Sequence, residues 1–321
     1  MKALSPTSLP VAAPPSARWS IADVERETGI GKDTLRVWER RYGFPLPWRD
    51  EHGERLYDDE QLQRLRLIRR LLDAGLRPGR VVGLPLAALN AVAASSPVGA
   101  GPAAAGDELA RWMDWVRRDQ TAQLRAALSG ALRTHGLAHT VESVIAPLCV
   151  EVGHAWLRGD IGVYQEHWFT EVVQTTLRAA IARLDKASAA APRAPRVLLT
   201  TTPGEQHQLG LLMVECFLAL EGCERVSLGV STPLAEIVDA AQRTHADVVA
   251  LSFSAQASRR DMIDAVTQLR ARLAAPVELW LGGAAAQHRW RGGLPPGVVR
   301  MRQAAEVVAQ VRAWRQRHAR V

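Results

Sequence analysis

Cysteine is scarce in this sequence: Cys149, Cys216 and Cys223 are the only three among 321 residues. None forms a Cys-x-x-Cys pair or a metal-spaced set, and each lies in an apolar, helix-like stretch. That pattern excludes a disulfide framework and reads as buried thiols in a reducing compartment. Long apolar runs are also missing. None reaches about 18 residues, so no membrane span is expected. The first 18 residues are rich in Pro, Ser and Ala and lack the charged-then-apolar order of a signal peptide, which predicts a disordered tail over 1–17 of a cytoplasmic protein. Charge of one sign is in short supply too. Forty Lys and Arg face 33 Asp and Glu, a net +7 spread along the chain, and an excess that small argues only weakly for a nucleic-acid partner. What is abundant is apolar residues, at 47%. That is enough to build cores and excludes global disorder, and the length suits two or three domains.

Two low-complexity stretches divide the chain, 91–106 and 187–195. Small residues and prolines without periodicity cannot build a core, so both read as linkers. They separate segments 18–90, 107–186 and 196–321. The middle segment has helical spacing throughout, as in Leu124, Leu128 and Leu132 or Val141, Val144, Ile145 and Leu148, and predicts a four-helix bundle. The last segment changes period. Short apolar runs at Val197–Leu199, Val226–Leu228, Val248–Leu251 and Val277–Leu281 alternate with helical stretches. Such alternation predicts a parallel sheet wrapped by helices, with ligands beyond the carboxyl ends of its strands.

In the first segment Ser20 is placed to cap a helix from Ile21 to about Thr28, and Ile30-Gly31 turns into a second helix over Lys32–Tyr42. Arg36 and Arg40 share one face of that helix, with Leu35 and Trp38 on another. Pro45–Tyr57, turning at His52-Gly53, suits a two-stranded wing. Charge does not mark the segment, since 14 basic and 12 acidic residues between Arg18 and Arg80 nearly cancel. The ordered motif does. Ser20-Ile21, Thr28-Gly29, Thr34-Leu35-Arg36-Val37-Trp38-Glu39-Arg40-Arg41-Tyr42-Gly43, Pro47, Arg49, Gly53 and Arg55-Leu56-Tyr57 resemble the MerR winged helix-turn-helix. The resemblance implies that Thr34, Arg36, Arg40, Arg41 and Tyr42 meet double-stranded promoter DNA from the helix and Arg49, Arg55 and Tyr57 from the wing. Gly31 stands where many relatives have a capping serine. The family binds DNA as dimers, often through a long coiled coil. Here the following helix, from Asp59 to about Ala74, meets Gly75 and Pro78-Gly79 early, which assigns oligomerisation to the C-terminal half.

The third segment opens with a strand followed by Thr201-Thr202-Pro203-Gly204-Glu205-Gln206-His207-Gln208-Leu209-Gly210. An imidazole in that loop can ligate a transition metal, a carboxylate two residues earlier can orient it, and Gly210 gives a large ligand close access to the next helix. Ser252-Phe253-Ser254 and Gly282-Gly283 follow the third and fourth runs. Together these resemble the Asp-x-His-x-x-Gly, Ser-x-Leu, Gly-Gly pattern of corrinoid-binding domains, with Glu205 in place of Asp and Ser254 in place of Leu. The resemblance implies a Rossmann-like (flavodoxin-like) domain holding cobalamin, with His207 as the lower axial cobalt ligand and Glu205, Gly210, Ser252, Ser254, Gly282 and Gly283 around it. In the bundle, Trp156 and the pair Glu166-His167 resemble the cap of CarH/LitR-type photoreceptors, where such residues cover the upper axial group. The whole order is identified as that of a CarH/LitR-type adenosylcobalamin photoreceptor over about residues 18–310.

That resemblance implies a homo-oligomeric repressor, dimer or tetramer, that holds DNA in the dark and releases it when light breaks the Co–C bond. Leu157 stands where some members carry a histidine that ligates cobalt after illumination, and His154 lies three residues earlier as a substitute. Two other readings stay open. One is a MerR-type regulator that senses another tetrapyrrole, cobalamin without light, or a protein partner. The other, a cobalamin-dependent methyltransferase or mutase, needs a substrate domain where this chain has a DNA reader. No nucleophile, acid–base or metal constellation is legible elsewhere, so no enzyme activity is expected.

Overall fold

The structure is a computed structural model that describes residues 18–73, 76–94, 106–187, 193–255, 257–287, 290 and 293–319. The expected N-terminal tail and the greater part of both expected linkers, 95–105 and 188–192, lie outside the described residues. The chain divides into two compact units.

In the N-terminal unit, β1 (Trp19–Ser20) and β2 (Trp48–Arg49) flank β3 (Arg55–Tyr57) in an antiparallel sheet. Ser20 caps α1 (Ile21–Thr28) through a full capping box: its hydroxyl accepts from Asp23 N–H at 3.2 Å and its own N–H donates to the Asp23 carboxylate at 3.0 Å. Helix α2 (Lys32–Tyr42) begins at Gly31, which has no side chain to cap it. Glu25 of α1 supplies the missing acceptor, taking the Lys32 N–H at 3.1 Å. Gly43 ends α2 at φ 67°, a left-handed conformation that suits glycine. Three further helices follow: α3 (Asp59–Asp73), α4 (Pro78–Val81) and α5 (Leu86–Ala94). The core takes Val24, Leu35, Trp38, Leu65, Ile68, Leu71 and Leu89, each stabilising by about 1.5–3 kcal/mol when fully buried. Helix α5 runs into the range expected to be a linker from Ala91. Leu89 and Ala93, four apart, bury one helical face there.

In the C-terminal unit, α6 (Gly106–Arg117), α7 (Thr121–His139), α8 (Ala146–Arg158) and α9 (Val163–Ala187) form the helical part. The corner between the second and third rods is a single residue. Gly136 breaks α7 at φ 78°, ψ 173°, and its carbonyl accepts the Thr140 hydroxyl at 2.7 Å. A π-helical turn, Thr140–Ile145, then leads into α8. Leu124, Leu128, Val141, Ile145 and Leu148 are buried as their spacing predicts.

The rest is an α/β unit: β4 (Arg193–Thr200), α10 (Leu209–Leu220), β5 (Cys223–Gly229), α11 (Leu234–Arg243), β6 (Val248–Ser252), α12 (Arg259–Arg272), β7 (Glu278–Gly282), β8 (Val298–Arg300) and α13 (Glu306–His318). The five strands are parallel in the order β5-β4-β6-β7-β8. That is a flavodoxin-like doubly wound sheet. The edge strand β8 is an addition to the four runs read from the sequence. Helices α11 and α12 cover one face of the sheet. Helices α10 and α13 cover the other, where α9 packs along α10, so the bundle and that face share one apolar core. Cys216 and Cys223 are buried and Cys149 is partly so. Burial pushes the Cys149 and Cys216 thiols up to about 12, which makes them packing groups rather than nucleophiles. No helix among the described residues is long and apolar enough to cross a membrane.

Candidate functional site

On α2, Leu35 and Trp38 face the core while Asp33, Thr34, Arg36, Val37, Arg40 and Arg41 are exposed. Arg36 donates to Asp33 at 2.9 Å, and the Arg41 guanidinium lies 5.3 Å from the Tyr42 ring centre. Tyr42 is half-buried. In the wing, Arg49 is exposed and donates to the Gly53 carbonyl at 2.9 Å. Arg55 donates to Glu39 of α2 at 3.0 Å, an ion pair that ties the wing to the helix. Tyr57 does not join this surface. It is 1% exposed, pairs with Trp19 across the sheet, and burial pushes its hydroxyl up to about 12. The alternation along β3 turns Arg55 and Tyr57 to one side, but only the long arginine reaches out past the core. Sequence reasoning missed Gln61. Asp58 accepts the Gln61 N–H at 2.7 Å at the start of α3, and the buried Gln61 amide clamps Leu46, accepting its N–H at 2.7 Å and donating to its carbonyl at 3.0 Å. The entry to the wing is thereby pinned to α3.

In the C-terminal unit, the predicted residues come together at the carboxyl edge of the sheet, after β4, β6 and β7. Glu205 is buried and its carboxylate is the hub. Oε1 accepts the His207 N–H at 3.0 Å and meets His207 Nδ1 at 2.6 Å, and Oε2 accepts the Ser254 N–H at 2.9 Å. Burial raises the Glu205 pKa, but the hydrogen bonds from the His207 ring, the His207 N–H and the Ser254 N–H and hydroxyl outweigh it and hold the carboxylate below its ordinary range. His207 moves the other way. Its bond to Glu205 raises its pKa against burial, and the charges of Glu205 and Glu166 add to the rise. Glu166 lies on α9 of the helical part, and its charge is felt at His207. The Glu166 carboxylate also accepts from Thr170 at 3.0 Å and lies 3.6 Å from His167, whose side chain is 73% exposed. Trp156 is half-buried against the shared core. His154 sits two residues away on the continuous helix α8, and at about 100° per residue it points about 160° away from Trp156. Leu157 is buried.

The glycines divide by role. A Cβ on Gly210 would come within 2.7 Å of the Ser252 hydroxyl, so its missing side chain makes room for a neighbour in the fold. Gly283, at φ 91°, would place a Cβ 2.2 Å from the Phe253 carbonyl oxygen. Gly282 would meet nothing within 4 Å. A second loop, unmarked in the sequence reading, braces the first. Ser231 N–H donates to the Thr201 hydroxyl at 2.7 Å, Gly204 N–H donates to the Ser231 hydroxyl at 3.1 Å, and the Thr200 and Thr232 hydroxyls lie 2.7 Å apart.

Residues 19–84 match the MerR HTH family regulatory proteins, and 112–184 and 195–312 match two B12 binding domain families. The chain is 30% identical to the HTH-type transcriptional repressor CarH of Myxococcus xanthus over 81% of its own length and 86% of that protein. It is 30% identical to the repressor CarA of the same organism over 90% and 94%. The chain belongs to the CarH type of MerR-family regulators. Its C-terminal unit also shares the fold of the Methanosarcina barkeri monomethylamine corrinoid protein, with a TM-score of 0.51 at 19% identity over 64% of this chain and 96% of that one. A CarH-type regulator is a transcriptional regulator with a cobalamin-binding domain, and the donor set here fits that group. No cluster of three or more His, Cys, Asp or Glu among the described residues could hold a bare metal ion. One histidine with Nδ1 committed to a carboxylate leaves Nε2 for a metal that arrives already ringed by a macrocycle. The open space at Gly282 lies on the same edge.

The Glu205–His207 pair predicts a pH signature in the cofactor-free protein. Glu205, with its pKa lowered from 4.5, stabilises the fold above that value and loses the contribution as pH falls through the lowered pKa. His207, with its pKa raised from 6.5, stabilises below that value and loses the contribution as pH rises through the raised one. The thermal midpoint gap between wild type and Glu205→Gln is therefore widest between pH 4.5 and 6.5 and narrows on both sides. A gap that is flat with pH in calorimetry would contradict the pairing.

Proposed function

We propose that this chain is a light-responsive transcriptional repressor in the cytoplasm, which binds promoter DNA as a dimer or tetramer while adenosylcobalamin is held in its C-terminal unit and releases the DNA on illumination. The observation that carries the reading is the Glu205 hub, which holds His207 and the Ser254 backbone at the carboxyl edge of the sheet. His207 Nε2 would be the nitrogen offered to the cobalt of a bound cobalamin, with Glu205 fixing the tautomer that leaves Nε2 unprotonated. Ser252, Ser254 and Gly282 would line the cleft for the nucleotide tail, and Gly210 and Gly283 shape it indirectly by letting Ser252 and the Phe253 backbone pack close. Trp156 offers a flat apolar wall to an adenine, and Glu166 and His167 offer hydrogen-bond partners to a ribose. When bound, the adenosyl form supplies a light-labile cobalt–carbon bond. At the other end, Thr34, Arg36, Arg40, Arg41 and Tyr42 of the recognition helix and Arg49 and Arg55 of the wing hold the duplex, the arginines on phosphates and base edges.

Leu157 supports a second reading. A buried aliphatic side chain cannot ligate cobalt, so cobalamin occupancy without a lasting photoproduct would be the signal. One experiment separates the two. Protein loaded with adenosylcobalamin in the dark is run on a sizing column and titrated into its own upstream promoter DNA, before and after green light. Light control predicts a smaller particle and at least about ten-fold weaker DNA binding after illumination. Unchanged size and affinity would leave occupancy as the signal.

A further inference from the structure

The exposed face of α2 is arranged around an apolar residue. Val37 is 43% exposed, and residues three and four apart are neighbours on a helix surface. The four positions that surround Val37 on this face are thus Asp33 and Thr34 on one side and Arg40 and Arg41 on the other, and all four are exposed. Leu35 and Trp38 hold the opposite face in the core at 0% and 5% exposure, which fixes the direction in which Val37 points. At about 100° per residue Arg40 and Arg41 project about 60° and 40° to either side of Val37, so the arginines sit on the flanks of this face and a branched hydrocarbon sits near its middle. A helix lying in a major groove meets phosphates along its flanks and base edges along its middle. Nothing in the packing of the unit calls for valine at a position this exposed. Val is also a poorer helix former than Ala, Gln or Lys. The one apolar feature on a base edge in the major groove is the C5-methyl group of thymine.

We propose that Val37 is a base-reading residue of this regulator, seating its isopropyl group against a thymine methyl while the surrounding arginines hold the backbone. This assignment rests on the reading of α2 as the recognition helix and adds the base that it selects. Removing a single methyl from such a contact weakens binding by roughly three- to five-fold.

The test uses the full-length protein, loaded with adenosylcobalamin in the dark, to select duplexes from a random-sequence pool. Each recurrent thymine is then replaced by deoxyuridine, which removes only the methyl. For wild type, at least one replacement in each half-site weakens binding by roughly three- to five-fold. For Val37→Ala the same replacement changes affinity by less than about two-fold, since the contact is already lost, and Val37→Thr, which keeps one methyl, falls between. Ala is the stronger helix former, so Val37→Ala keeps its far-ultraviolet circular dichroism. Indifference of wild type to deoxyuridine at every thymine would overturn the assignment, as would the full deoxyuridine penalty surviving in Val37→Ala. Selection of no duplex at all by wild type would instead overturn the DNA-reading role of α2, and the assignment with it.

Discussion

His207→Ala mixed with adenosylcobalamin in the dark and desalted is expected to elute with at most a few per cent of the cofactor that wild type retains, and any remainder is expected to show the spectrum of the free compound. The size of the effect follows from the donor set. Among the described residues, His207 is the one ring at the carboxyl edge with a nitrogen held by a buried carboxylate, and its loss removes the donor that this carboxylate orients. Disturbing a supporting partner of a metal ligand costs about 10–100-fold in affinity, and removing the ligand itself costs more. The fold is expected to survive, because the His207 side chain is 49% exposed and fills no core. Glu205 keeps its bond from Ser254. The comparison with Glu205→Gln is informative: a neutral amide still accepts from the ring but no longer favours the same charge balance, so retention falls less. Equal retention by His207→Ala and wild type would remove the histidine from the cofactor site.

Gly283→Ala is expected to abolish the native C-terminal unit, while its neighbour Gly282→Ala folds normally and binds the cofactor more weakly. The two residues look alike in sequence, and their surroundings separate them. At Gly283 a Cβ would lie 2.2, 2.8 and 2.9 Å from main-chain atoms of Phe253, at a φ of 91° that L side chains rarely adopt. Backbone strain of that kind costs about 1–3 kcal/mol. The steric overlap with main chain that cannot move aside takes the total beyond about 4 kcal/mol, a large fraction of the stability of an ordinary domain. At Gly282 a Cβ meets no protein atom within 4 Å, so the penalty appears only when a ligand fills the space. Thermal denaturation and limited proteolysis report the first effect, and cofactor retention after desalting reports the second. A folded Gly283→Ala protein with wild-type stability would show that the loop after β7 is not as close to Phe253 as described.

Much of the molecule was legible in the sequence, and the parts that were not share a cause. Helix α2 was readable to its ends because Gly31 and Gly43 punctuate it, and the parallel sheet was readable because four buried runs carry a pattern. Strand β8 holds three residues, too few to show a period, and it forms only because β7 offers an open edge. The last turn of helix α5 was hidden by its own composition: from Ala91 the small residues read as the start of a linker, although the fold continues the helix to Ala94 and buries Ala93. At the candidate sites, residue types in order identified the loops but not the work each side chain does. Tyr57 falls within the wing motif and packs in the core. Gly210 stands beside Ser252, 42 positions away in sequence. The Gln61 amide clamps Leu46. Each of these outcomes depends on a partner distant in the chain, which local pattern does not contain.

The proposed coupling of the DNA reader to a bound cobalamin is tested most directly by DNA affinity measured against cofactor occupancy. Wild type and His207→Ala are titrated into the same promoter duplex in the dark, each with and without adenosylcobalamin. The expected result is tighter binding by wild type, at least about ten-fold, when the cofactor is present, with both His207→Ala titrations coinciding with cofactor-free wild type. Wild-type DNA affinity that is the same with and without adenosylcobalamin would contradict it.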